Sequence, residues 1–125
     1  MNYLKQNDIT LTAYSPFGNP GRPWKGTERD GENNDIPALL ENATVNEIAK
    51  KHGKGPGHVL LRFQIQRGVI VIPKSVTPAR IKSNYELFDF VLDDKDMAEL
   101  YGINRDLRIV QLTWDGLPNH KDFPF

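Results

Sequence analysis

The chain has 125 residues, 38% of them hydrophobic and 26% charged, the make-up of one globular domain. Its 16 Lys+Arg balance 16 Asp+Glu, so no global field draws it toward nucleic acid or an anionic membrane, and neither is an expected partner. The absence of cysteine excludes disulfides, thiol nucleophiles and Cys-based metal centres, and His52, His58 and His120 are too scattered for a metal cluster. With no apolar run of ~18 residues and no signal-peptide pattern at the N-terminus, a cytoplasmic location is expected.

In chain order, Ile9 to Tyr14 alternates apolar residues with Thr and Tyr and predicts a strand, ended by Ser15-Pro16 and Gly18-Asn19-Pro20-Gly21. A polar loop over residues 15–36 follows; loops of that length are usually functional lids or solvated connections, and both alternatives stand. Thr44-Val45-Asn46-Glu47 has the form of a capping box, with Val45, Ile48 and Ala49 on one helical face and Gly53 as the stop. After the Gly53 to Gly57 break, Val59, Leu60 and Phe63 share a face of a second helix that Gly68 ends. Val69 to Ile72 is a run of four β-branched residues, which predicts a strand covered on both faces, as in a parallel sheet. Thr77-Pro78 marks an N-cap and first helical residue, with Ile81, Tyr85 and Phe88 on one face of the helix that follows. Asp93 to Asp96 opens a last helix, its acids suiting the positive end of the dipole, with Met97, Leu100 and Tyr101 inward. The tail from Ile103 to Phe125 is irregular. Strands alternating with helices predict an α/β fold built of βα units.

Two segments carry chemistry. Where the second strand meets a helix, Lys74 offers a cation, Ser75 and Thr77 offer hydroxyls, and Arg80 stands on the first helical turn among free backbone N–H groups. These are the parts of a phosphate site, although a plain capped strand-to-helix turn would look the same. At the end of the first strand, Tyr14 is placed either to stack on a flat ring or to pack on the core rim.

Together these segments resemble the C-terminal part of the aldo-keto reductase superfamily. Leu11 to Gly18 is similar to that family's seventh-strand segment, and Ile72-Pro73-Lys74-Ser75 with Thr77-Pro78, Arg80 and Asn84 to its eighth-strand cofactor motif. Leu60 to Phe63 and Phe88 to Phe90 match in order, so the resemblance spans about Tyr3 to Phe125. It implies a (β/α)₈ TIM barrel, of which this chain holds strands 7 and 8, and an NADPH-dependent reduction of small-molecule aldehydes or ketones by a typically monomeric enzyme. By the same resemblance, Tyr14 stacks on the nicotinamide, and Ser15, Phe17 and Asn19 line the pyrophosphate path. Lys74, Ser75, Val76, Thr77 and Arg80 surround the 2′-phosphate of NADP(H), Asn84 meets adenine, and residues 15–36 form a belt over the cofactor. Trp24, with Val110, Leu112 and Trp114 of the loop 103–125, lines the substrate pocket. Gly21 stands where relatives carry an aspartate that latches the belt, which implies faster cofactor release.

The family's proton-donating tyrosine and its lysine, aspartate and histidine come from earlier strands, and none maps onto this chain, so no catalytic residue is assigned. A complete barrel needs roughly 250 residues. The expectation is therefore a piece of such an enzyme, inactive alone, the alternative being a non-catalytic NADP-binding or interaction module.

Overall fold

A computed structural model of the chain describes residues 1–18, 38–106 and 121–122. Its elements are α1 (Asn2–Gln6), β1 (Leu11–Tyr14), a 3₁₀ turn (Leu39–Glu41), α2 (Ala43–Lys51), α3 (Pro56–Gln66), β2 (Val69–Ile72), α4 (Pro78–Ser83) and α5 (Asp94–Gly102). The order matches the sequence expectation, with α1 and the 3₁₀ turn added. The two strands pair in parallel, in the register Leu11 with Val69, Thr12 with Ile70, Ala13 with Val71 and Tyr14 with Ile72.

Helix α2 begins two residues earlier than the capping-box pattern indicates. Its cap is Asn42, whose Oδ1 accepts from the Val45 N–H at 3.3 Å, while Thr44 lies inside the first turn. Val45, Ile48 and Ala49 are buried as their spacing requires, against Val59, Leu60 and Phe63 of α3 and Leu92 and Leu100 beyond. Each such side chain contributes roughly 1.5–3 kcal/mol by leaving water. Gly53 and Gly68 take φ +63° and +79° after α2 and α3, left-handed positions that terminate both helices.

Two expectations about burial are corrected. β2 is covered on one face among the described residues: Val69 is 4% exposed, while Ile70 and Ile72 are 52% and 55% exposed. Side chains alternate along a strand, so Thr12, Tyr14, Ile70 and Ile72 share the open face. Helix α4 ends at Ser83, so of the expected apolar stripe it holds Ile81 alone, and Ile81, Tyr85 and Phe88 are exposed. The cause lies on α3. Arg62 Nη1 donates to the Leu87 carbonyl at 3.2 Å, and Gln66 both donates to the Leu92 carbonyl at 2.9 Å and accepts from its N–H at 2.8 Å. The backbone is thereby drawn out of helix, and Leu87 is buried where Phe88 was expected. On α5, Leu100 is buried and Met97 half-buried, but Tyr101 is 52% exposed, with its ring edge against Phe63 at 5.1 Å.

The far end of α2 is tied to the start of α5 by a polar cluster around Asp96, which is 2% exposed. Its carboxylate accepts from Lys51 Nζ at 2.7 Å and from the Asp93 N–H at 3.2 Å, and meets His52 Nε2 at 2.7 Å. Burial pushes the Asp96 carboxyl up, but the bonds from Lys51, His52 and the Asp93 backbone outweigh it and hold the group below the usual carboxylate range. Asp93, bonded first to Lys51 and then to the Asp96 N–H, is lowered to about 2.

Candidate functional site

Parallel pairing brings both chemistry-bearing segments to one edge. Tyr14 and Ile72 end their strands side by side, and the chain continues from them into Ser15 and into Pro73-Lys74. Beyond the carboxyl ends of parallel strands, backbone groups no longer bond within the sheet, and ligands bind there.

On the β1 side, Tyr14 is 65% exposed, so the strand-end aromatic is presented outward and is not packed on the core rim. Ser15 follows with φ +50°, a left-handed conformation that costs a non-glycine residue roughly 1–2 kcal/mol. Its carbonyl accepts from the Gly18 N–H at 2.9 Å, closing a tight turn over buried Pro16. No residue type in the sequence signals that strain, which belongs to the positions where a surrounding structure over-determines the backbone. Phe17 is half-buried, its side chain packed against the core cluster.

On the β2 side, Lys74, Val76, Thr77 and Arg80 are exposed and Ser75 half-buried. Thr77 occupies the N-cap position but makes no capping bond; instead its N–H donates to Ser75 Oγ at 3.2 Å, so Ser75 shapes the turn and leaves the Thr77 hydroxyl free to donate. Helix α4 has six residues, too short for a substantial dipole, so attraction for an anion rests on the two cations. Neither Lys74 nor Arg80 has a carboxylate partner among the described residues. An ammonium, a guanidinium fork and two hydroxyls on one turn suit a phosphate dianion, for which Arg supplies paired donors and Lys a point charge. Asn84 is the half-buried C-cap of α4, joined by its backbone N–H to the Arg80 carbonyl at 2.9 Å.

Among the described residues no group of three or more His, Asp or Glu could hold a metal ion, and no helix is long and apolar enough to cross a membrane. The expectations for Asn19, Gly21, Trp24, Val110, Leu112 and Trp114 lie outside the described residues.

Sequence reasoning missed the contact that anchors α4. His58 Nδ1 accepts from the Gly55 N–H at 3.2 Å, and Nε2 meets Ser83 Oγ at 2.8 Å. The only available signal was a histidine three residues after a helix N-cap, the position from which a side chain reaches back to the cap N–H.

A family model described as "Aldo/keto reductase family" matches residues 1–105. The chain is 44% identical to "Aldo-keto reductase family 1 member A1-A" of Danio rerio, over all of this chain and 39% of that protein. It is 40% identical to "Aldo-keto reductase family 1 member A1" of Gallus gallus, over 98% of this chain and 40% of that protein. It thus spans about two-fifths of the length of these curated relatives. The crystal structure of Gox0644 in its apo form superposes with a TM-score of 0.68 at 30% identity, covering 84% of this chain and 32% of that one. On the extent of the family match and the identity of these relatives, the chain belongs to the aldo/keto reductase family.

Proposed function

We propose that these 125 residues form the NADP(H)-binding side of a carbonyl reductase, contributing the seventh and eighth strands of a (β/α)₈ barrel. The observation that carries this reading is that the parallel register sets Tyr14, an exposed aromatic, beside the strand end that leads into Lys74 and Arg80, two exposed cations with no carboxylate partner among the described residues. Lys74 and Arg80 hold the 2′-phosphate, with the Thr77 hydroxyl donating a hydrogen bond to it, while Ser75, whose hydroxyl donates to the Thr77 carbonyl at 3.5 Å, shapes the turn around it. Tyr14 lies against the flat face of the nicotinamide and fixes which side is presented to substrate. Ser15 and the main chain at Phe17 line the pyrophosphate, and Asn84 meets the adenine. When bound, NADPH supplies the hydride. The proton for the developing alkoxide must come from a group within hydrogen-bond reach of it, and no residue of this chain is assigned that task. On this reading the open face made by Thr12, Ile70 and Ile72 is barrel interior, covered by the remaining strands, and Tyr14, the last residue of β1, stands at its mouth.

The test is a fluorescence titration of the chain with NADPH, comparing the unmodified protein with a Lys74→Ala/Arg80→Ala variant. Saturable binding weakened at least about tenfold in the variant is expected, since two charge-assisted contacts are lost together. Unchanged affinity in the variant overturns the assignment. An aromatic aldehyde added to the NADPH complex is expected to give no turnover. Robust NADPH oxidation by the chain would contradict the absence of a proton donor.

A further inference from the structure

His58 makes two bonds at once. Its Nδ1 accepts from the Gly55 backbone N–H, and a neutral imidazole that accepts at one nitrogen carries its proton on the other, so Nε2–H donates to Ser83 Oγ. The ring therefore bridges the N-cap of α3 and the last residue of α4. Space is matched to this arrangement: a Cβ on Gly55 would stand 3.2 Å from Nδ1, tighter than side chains ordinarily pack. Ser83 lies one helical turn beyond Arg80, so whatever fixes Ser83 fixes the segment that carries that guanidinium.

We propose that His58 is a positioning residue for the phosphate-binding turn, holding α4 and with it Arg80 against α3 through the Gly55–His58–Ser83 relay. This rests on the cofactor assignment above. One tautomer of the neutral ring satisfies both contacts.

The experiment combines NADPH titration at one fixed pH with ¹⁵N shifts of the histidine ring and exchange rates of the α4 amides. His58→Leu removes both bonds. Its NADPH affinity is expected to fall about three- to tenfold, with faster α4 exchange, as for loss of one or two modest hydrogen bonds. His58→Gln, whose carbonyl can accept from Gly55 and whose amide can donate to Ser83, is expected to recover the affinity. Ser83→Ala, at a half-buried surface position, serves should His58→Leu unfold the chain; it should speed α4 exchange and leave the Nε2–H tautomer. Equal affinity and equal α4 exchange in His58→Leu and the unmodified chain would overturn the proposal, as would failure of His58→Gln to recover the affinity lost in His58→Leu. Failure of the unmodified chain to bind NADPH would instead defeat the cofactor assignment, while tautomer and amide exchange would still decide the relay.

Discussion

At the residue scale, Asp96 shows how a nearly buried charge is kept. A carboxylate 2% exposed would be strongly disfavoured unpaired, and here every approach to it is a donor: Lys51, the His52 ring and the Asp93 N–H. Asp96→Ala leaves the His52 ring and the Asp93 N–H without this acceptor, while Lys51 keeps Asp93, and a loss of roughly 1–3 kcal/mol is expected in urea unfolding, discounted because Lys51 reaches solvent. The pH dependence has a definite sign. Folded-state values of Asp96 and Asp93 lie below their ordinary 3.8, so their contribution is present above that value and lost as pH falls through the folded values, toward about 2 for Asp93. Acid titration of stability should therefore steepen below about pH 4 in the unmodified chain and flatten in Asp96→Ala. Identical acid profiles would contradict this account of the cluster.

At the scale of elements, composition and periodicity identified most of what the structure contains. Val69 to Ile72 forms a strand because four consecutive β-branched residues suit a pleated surface, and Val45, Ile48 and Ala49 line a helix face because their spacing allows little else. The error over Ile81, Tyr85 and Phe88 has a different origin: the helical spacing is real, but Arg62 and Gln66, polar residues on another helix, bind the backbone at Leu87 and Leu92. A pattern within one segment cannot register bonds imposed from a distant one. The cap of α2 was misplaced for a related reason, since Asn42 and Thr44 both have capping chemistry and their backbone conformations decided between them. Gly68 isolates a backbone effect. A Cβ there would touch nothing within 4 Å, yet φ is +79°, so Gly68→Ala is expected to cost about 1–2 kcal/mol through conformation alone, read as a lower melting temperature. A neutral or stabilising result would refute that assignment of the turn.

For the whole molecule, the candidate site was legible as two motifs but not as one place. The sequence names Tyr14 and Lys74 separately; the parallel register of β1 and β2 puts their strand ends together. The strain at Ser15 and the His58 relay were not legible, because backbone conformation and a bond spanning 25 residues leave no local pattern. The open sheet face, with Ile70 and Ile72 more than half exposed, fits a chain spanning about two-fifths of its curated relatives. A parallel sheet is normally buried on both sides. The central claim is that Lys74 and Arg80 make this edge a site for the 2′-phosphate of NADPH. It is tested most directly by the ratio of NADH to NADPH dissociation constants for the unmodified chain at one fixed ionic strength. Binding of NADPH at least about tenfold tighter is the predicted result, the difference expected of a phosphate held by charge-assisted bonds. Equal affinity for the two cofactors would contradict it.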